Sequence, residues 1–500
     1  MSIDSPPAAS APARLPSPAA LLAWLALWLL ATLGLRPLAL PDEGRYVGVA
    51  REMLNADTLV PLLDGLPYFH KPPLFYWIDM AAMRVLGETE FAARIAPMLG
   101  AWLMGAALLL AMRRWHGPRA AAVTLGVLAT TPYFFLGGQY ANHDMLVAGL
   151  ISAAVLALAH ALEAPPRVDL RWLVAGWVLC ALAVLAKGLI GIVLPALVIG
   201  PWLLAQGRWR QMLKLLHPLA LLAFVVVVSP WFIAMQLRFP GFLDYFFVEQ
   251  HFRRFAQSNF NNVRGFWYFL VALPLMTLPW SLWLPAAWRH AWANRNPSFG
   301  LYLWWTIAVV GFFSLPSSKL IGYALPALAP WCALLGLAVA EKRGRAWPWV
   351  MGVAALGGVA IVVAVALEAP KSSRPLAQAL AARIAPTDTV VMVDAYYFDL
   401  PFYARLERPV VIAGRWEDPE LPQRDNWRKE LFDAARFDPA AGRAVLQALD
   451  RLAAIGCGAG AVWFVVPTPD VARVSGLSGA QREFGDAQAE LWRVPAHACP

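Results

Sequence analysis

Residues 351–367 read MGVAALGGVAIVVAVAL, with no charged or amide side chain among them. A helix on the surface of a soluble protein keeps one polar face toward water, and this segment has none. Coiled as an α-helix it covers roughly 25 Å, close to the bilayer's hydrocarbon thickness of about 30 Å, with its backbone polar groups bonded internally. The same character recurs in Leu21–Leu33 and around Val225–Ser229. Over all 500 residues, hydrophobic side chains make up 59% and charged ones 15%. Soluble domains run near 45–50% apolar and about 25% charged, so lipid, not water, is the solvent for most of this chain.

Windows of about twenty apolar residues place about eleven spans: 17–35, 91–112, 119–137, 143–162, 170–186, 188–205, 213–235, 265–288, 299–315, 320–340 and 347–367. The proline-rich stretch Pro274–Pro285 reads as one kinked helix or two broken ones. Trp172, Trp202, Trp209, Trp231, Trp267, Trp280, Trp288 and Trp347 stand where apolar runs meet polar residues, as an interfacial belt requires. Alternate short loops are basic: Arg113, Arg114 and Arg119; Arg167 and Arg171; Arg208, Arg210 and Lys214; Arg289 and Arg295; Lys342, Arg343 and Arg345. By the positive-inside rule these loops are cytoplasmic, which accounts for the net charge of +9 without nucleic acid as a partner. Residues 1–16, rich in Pro, Ala and Ser, are expected to be a disordered cytoplasmic tail. The run after them is expected to stay as the first helix, because Arg14 is the tail's one basic residue and Leu33–Leu40 shows no small-residue cleavage site.

An odd number of spans then sends the C-terminal segment outside. Residues 17–368 are the membrane domain and 369–500 a soluble domain. Strand-like runs Thr389–Val393, Pro409–Ala413 and Val462–Val466, with helical stretches Arg374–Ile384 and Ala440–Leu452, predict a small α/β fold there. The expected fold class is thus a polytopic all-α membrane protein carrying a C-terminal α/β domain. Cys180 and Cys332 lie in apolar runs and read as packing residues; Cys457 and Cys499 could pair in an oxidising compartment.

Residues with chemical capability gather on the face opposite the basic loops. The outer loop 36–90 opens Pro41-Asp42-Glu43-Gly44-Arg45-Tyr46. Asp42 is placed either to cap a helix over Glu43–Leu54 or to act as a general base facing a membrane cavity. The loop continues Tyr68-Phe69-His70-Lys71-Pro72-Pro73 into a helical stretch Phe75–Val85. Two prolines fix the backbone after Lys71, whose ammonium is either a compact partner for phosphate or a snorkelling side chain at a helix start. Asp144 begins a span, Lys187 interrupts the apolar Ala181–Leu194, and Lys319 lies in Pro316-Ser317-Ser318-Lys319-Leu320. Ionisable groups at a membrane bundle are costly to desolvate and are functional candidates by default, although Asp144 could simply cap its helix. A later outer loop carries Glu249-Gln250-His251-Phe252-Arg253-Arg254. That pattern suits a bidentate phosphate clamp and equally an amphipathic helix on anionic lipid. His70 and His251 could ligate a divalent metal, but no short ligand spacing joins them. Taken together, the set suits displacement of a lipid phosphate by an acceptor hydroxyl, a reaction that requires no cofactor.

The motifs Asp42-Glu43-x-Arg45-Tyr46, Tyr68-Phe69-x-Lys71-Pro72, Asp144-Met145-Leu146, Ala186-Lys187-Gly188-Leu189 and Ser318-Lys319-Leu320 resemble, in this order, the GT-C glycosyltransferases. The match is closest to the bacterial aminoarabinose (lipid A) transferases, akin to the protein O-mannosyltransferases. That resemblance implies a polyprenyl (undecaprenyl) phosphate sugar as donor, and an envelope acceptor such as lipid A, lipopolysaccharide, another glycan or a protein. Inverting transfer would take place at the periplasmic face of the inner membrane. It implies that Asp42, with Glu43 beside it, supplies the catalytic carboxylate. Arg45, Lys71, Arg253 and Arg254 would hold the donor phosphate. Tyr68, His70, Asp144, Lys187, Glu249, His251, Lys319 and Tyr323 would line the cavity. The chain differs from the aminoarabinose branch at His70, where that branch has Glu, and at Ile321-Gly322-Tyr323, where it has Pro-Thr-Tyr. A flippase for lipid-linked sugars is the alternative, and would be expected to show repeat symmetry that is not visible here. An envelope scaffold would not need Asp42 or Lys71.

Overall fold

The computed structural model describes residues 16–250, the backbone of 251–253, and residues 262–294, 296–341, 346–369, 371–423, 425–456 and 460–496. The apolar stretch quoted above lies within a helix, Trp347–Glu368. Among the described residues it is one of seven helices long and apolar enough to cross a bilayer, with Ala92–Ala129, His143–Ala161, Leu170–Lys187, Pro218–Arg238, Pro297–Ser314 and Ile321–Glu341. A bent pair, Tyr268–Met276 with Trp280–Ala293, makes eight if it is one span, and Pro18–Leu30 and Ile190–Ala205 are apolar but shorter. Each of the expected stretches coincides with one of these helices or a part of one. The chain is a multi-pass membrane protein.

One connection is tighter than expected, and one open alternative is decided. The helices expected over 91–112 and 119–137 do part between those bounds, but by a tight break at Gly117, where φ is 85° and Pro118 follows, and not by a longer loop. Glycine adopts that dihedral without a Cβ clash, and proline brings no N–H to continue the ladder. The stretch around Pro274–Pro285 is two helical pieces meeting at 107°. Buried hydroxyls line the break: the Trp280 and Trp331 indoles donate to Thr130 and Thr277, each at 3.0 Å.

His143–Ala161 is the central helix, 94% of its apolar window buried, whereas Trp347–Glu368 is only 17% buried and faces lipid. The central helix is held by backbone contact. A Cβ on Gly149 would lie 2.0 Å from the Gly100 carbonyl oxygen, so small residues let two helices meet as membrane packing favours. The basic loops share one end of the bundle. Arg114 bonds Glu163, Arg208 and Lys214 donate to the carbonyls of Leu162 and Pro166, and His290 pairs with Glu341 at 2.7 Å. Lys342, Arg343, Arg345 and Arg295 lie outside the described residues.

At the other end sit the first outer segment and the C-terminal unit. The outer segment comprises a helix Asp42–Asn55, a two-strand hairpin β1 (Leu62–Leu63) and β2 (Leu66–Pro67), and a helix Leu74–Leu86. The C-terminal unit is a six-stranded sheet in the order β5-β4-β3-β6-β8-β7. Its strands are β3 (Thr389–Val393), β4 (Val411–Gly414), β5 (Leu446–Ala448), β6 (Val462–Pro467), β7 (Gln481–Gly485) and β8 (Ala489–Val494). Strands β3 to β6 pair in parallel and β8 antiparallel to β6. The helix expected over Ala440–Leu452 stops at Val445, where the chain enters β5 at the sheet edge. β7 and β8 were not expected. Cys180 and Cys332 are buried free thiols, as their apolar setting implied, and Cys457 and Cys499 lie outside the described residues.

The C-terminal unit is bolted onto the outer segment by backbone bonds. Leu40 N–H donates to the Lys371 carbonyl (2.8 Å), Val410 N–H to Asp64 (2.8 Å), and Arg51 to the Leu406 carbonyl (2.8 Å). Gly44 permits the closest approach, since a Cβ there would lie 2.7 Å from the Asp399 nitrogen.

Candidate active site

Asp42 and Glu43 are neighbours in sequence, but successive residues on a helix point about 100° apart, and the structure sends the two carboxylates to opposite fates. Glu43 is fully buried in the bundle. It accepts from both terminal nitrogens of Arg36, from Arg94 Nε (2.9 Å) and Nη2 (3.2 Å), and from the backbone N–H groups of Ala39 (2.9 Å) and Ala141 (2.8 Å). Burial alone would raise its pKa, but the Arg94 and Arg36 guanidinium groups overcome that and hold it at about 2. Glu43 therefore ties three segments together, and its oxygens are occupied.

Asp42 is about one-third exposed and bonds Arg45 one turn on. The helix begins at Asp42 itself and Pro41 precedes it without a side-chain cap, so the capping expected of Asp42 is not what the carboxylate does. Arg45 passes between Asp42 and Glu430, with its guanidinium 4.9 Å from the Tyr46 ring and 5.6 Å from that of Phe398. Tyr68 donates to the other oxygen of Glu430 at 3.2 Å, and His70 stacks on Tyr68 with centroids 4.6 Å apart. Lys71 donates to the His70 carbonyl at 3.0 Å.

A second charged pair lies deeper. Lys187 ends its helix, Gly188 takes φ 103°, and the ammonium bonds Asp144 and lies 4.8 Å from the Tyr323 ring centre. Asn142, not Asp144, caps the central helix, accepting from the Asp144 N–H at 3.0 Å. Gly322 makes room, as a Cβ there would fall 2.0 Å from Asp144 Oδ2. Between the two charged groups sits His143, 2% exposed, boxed by Phe75 (4.5 Å), Tyr46 (4.5 Å) and Tyr76 (5.1 Å).

Other expected residues fall elsewhere. Lys319 is buried, but it donates to the carbonyls of Arg264 (3.0 Å) and Pro316, bracing two loops. Glu249 reaches Arg436 of the C-terminal unit at 3.5 Å. Arg254 and the side chains of His251 and Arg253 lie outside the described residues. Among the described residues no group of three His, Cys, Asp or Glu side chains is arranged to hold a metal.

Sequence reasoning missed Glu430, His143, Arg36 and Arg94. The rule that singled out Lys187, a charge at the edge of an apolar run, applies equally to Arg36 and Arg94. Asn426 followed by Trp427–Ala435 is a legible helix start, its side chain accepting from the Arg428 and Lys429 N–H groups. Nothing local reveals that Glu430 on that helix meets Arg45, hundreds of residues away.

The fold has a close counterpart. The structure matches that of ArnT from Cupriavidus metallidurans bound to undecaprenyl phosphate with a TM-score of 0.84 and 25% identity, covering 96% of this chain and 99% of that one. The chain has the GT-C fold. Residues 70–233 match the family described as dolichyl-phosphate-mannose-protein mannosyltransferase. The chain is 36% identical over 334 residues to an undecaprenyl phosphate-alpha-4-amino-4-deoxy-L-arabinose arabinosyl transferase of Erwinia tasmaniensis, and 36% identical over 312 residues to that of Pseudomonas aeruginosa. Those matches take in 64% and 61% of this chain but only 59% and 56% of the relatives' own lengths, so the chain spans under two thirds of them. The archaeal oligosaccharyltransferase AglB from Archaeoglobus fulgidus shares the fold more distantly, at 13% identity and a TM-score of 0.51.

Proposed function

We propose that the chain is an inverting glycosyltransferase that moves a sugar from a polyprenyl (undecaprenyl) phosphate donor to a hydroxyl or phosphate of an envelope acceptor, at the periplasmic face of the inner membrane. The observation that carries this reading is the Asp42–Arg45–Glu430 array at the junction of bundle and C-terminal unit. There a partly accessible carboxylate stands beside a guanidinium, in a fold shared over nearly its whole length with a structure bound to undecaprenyl phosphate.

In this mechanism Asp42 takes the proton of the acceptor hydroxyl as its oxygen attacks the anomeric carbon. The bond from that carbon to the phosphate oxygen breaks, and the electron pair leaves with polyprenyl phosphate. Arg45 and Lys71 stabilise the charge that builds on the departing phosphate, and the Asp144–Lys187 pair fixes the cavity wall behind them. These cations supply the charge the step calls for, so it proceeds without a metal. Glu43 positions the helix that presents Asp42.

The test is a paired assay of wild type and Asp42→Asn in lipid nanodiscs, supplied with undecaprenyl-phosphate sugars and an envelope-lipid extract. Mass spectrometry then follows release of undecaprenyl phosphate. The expected result is release by wild type with a matching mass gain on one acceptor, and none by the variant. Donor binding by both with consumption by neither would overturn the transferase in favour of a flippase.

A further inference from the structure

Strands β3, β4 and β6 run parallel, so their carboxyl ends share one edge of the C-terminal sheet. From β3 the chain steps outward to β4 and β5, then crosses back to place β6 on the other side of β3. The crossovers thus diverge between β3 and β6, and in open α/β sheets the crevice at such a reversal is where ligands bind. At this edge Asp394 follows β3 directly with φ 51°, its N–H donating to the Ala413 carbonyl at 2.7 Å and its side chain 8% exposed. Three arginines converge on it. Arg428 bonds it; Arg473 and Arg415 approach its other oxygen at 3.7 and 3.9 Å. Arg473 also pairs with Asp470 at 3.0 Å, so in the pairs seen among the described residues two carboxylates answer these three guanidinium groups. Arg428 Nε is buried with no hydrogen-bond acceptor among the described residues, while Arg415 is two-thirds exposed and makes no close bond to Asp394. Donors in forked geometry, in excess of the carboxylates that hold them, are the chemistry that takes a phosphate.

We infer that Arg415, Arg428 and Arg473 around Asp394 form an anion subsite that takes a phosphate monoester carried on the acceptor headgroup. Its link to the reaction runs through one helix, around which Arg428 and Glu430 stand about 200° apart. Arg428 lies two residues before Glu430 on the Trp427–Ala435 helix, and Glu430 holds Arg45 and Tyr68. A phosphate seated here would dock the acceptor onto the helix that also completes the donor site. The assignment of this phosphate to an acceptor rests on the transferase reading above.

The experiment uses the full chain in nanodiscs, as wild type, Arg415→Gln/Arg473→Gln, and Asp394→Asn. Asparagine tolerates positive φ, so the last variant keeps the turn while removing the competing charge. Calorimetric titration with inorganic pyrophosphate reports the free anion, and discs of phosphatidylcholine with or without phosphatidic acid report lipid phosphate. Wild type is expected to bind pyrophosphate less tightly as salt rises, the double variant roughly tenfold more weakly, and Asp394→Asn more tightly. In transfer assays the double variant is expected to raise the acceptor KM but not the donor's. Equal pyrophosphate binding by all three proteins, or none by wild type, overturns the subsite. Anion binding as expected with an unchanged acceptor KM overturns its assignment to the acceptor, and suppression of pyrophosphate binding by phosphatidic acid assigns it to bulk lipid instead. If the binding results hold but wild type releases no undecaprenyl phosphate with any acceptor, the subsite stands and the transferase reading falls.

Discussion

Replacing Glu43 with Gln and Asp42 with Asn, one residue apart, should give opposite phenotypes. Glu43→Gln keeps the side-chain shape but removes the charge shared by Arg36 and Arg94, both buried. Breaking a buried ion pair from one side costs about 3–5 kcal/mol, because the remaining charge loses its partner without regaining water. Arg94 retains the carbonyls of Leu33, Arg36 and Pro37, each at 2.9 Å, which puts the cost near the lower end, about 3 kcal/mol. That is on the order of a hundredfold in the folded population, a clear loss of thermal stability in a detergent melt followed by tryptophan fluorescence. Asp42→Asn breaks a pair whose carboxylate is 35% exposed, worth at most about 1 kcal/mol, yet turnover should fall by roughly 10²–10⁴-fold if Asp42 is the base. A Glu43→Gln protein that melts with wild type refutes the anchoring argument. An Asp42→Asn protein that turns over normally refutes the catalytic one.

Acid should expose the same anchor. The Glu43 carboxyl titrates near 2 in the fold against an ordinary 4.5, so its contribution is complete above about 4.5 and drains away as pH falls through 2; a Glu43→Gln melt should lack that component. Glu430→Gln should weaken the grip on Arg45 and Tyr68, raising the donor KM more than it lowers thermal stability, as steady-state kinetics beside a melt would show. Gly149→Ala should sharply reduce the yield of folded protein in size-exclusion profiles, because the added methyl would meet the Gly100 carbonyl at 2.0 Å. Gly322→Ala should push Asp144 off Lys187 and cost activity before it costs expression.

The membrane architecture was legible because the apolar stretches are long and the basic loops alternate with them, both local signals. The helix breaks were partly so: the prolines of Pro274–Pro285 marked one, though not its 107° angle, whereas Gly117-Pro118 reads as a longer loop when charges flank it. In the C-terminal unit the buried strands β3, β4 and β6 were visible as β-branched runs. β7 and β8, with polar and charged residues through Gln481–Val494, were not. At the site, Asp42, Arg45, Lys71, Asp144 and Lys187 were nameable as charges where apolar sequence makes charge expensive. That rule cannot say which charge faces a cavity and which is spent on a partner: Glu43 is taken up by Arg36 and Arg94, and Lys319 by the carbonyls of Arg264 and Pro316. Glu430 carries no such mark, since a glutamate on a soluble helix is unremarkable until the fold brings it to Arg45.

The seam between the Asp42–Asn55 helix and the C-terminal unit bears on how the protein is made. The helix bearing Asp42 emerges early in synthesis, but its covering backbone at 398–399 and the Glu430 that steadies Arg45 come hundreds of residues later. The charged groups around Arg45 thus remain without their final partner through most of membrane insertion. A product terminated before Glu430 would therefore carry the membrane helices and Asp42 but lack the carboxylate that holds Arg45 from the other side.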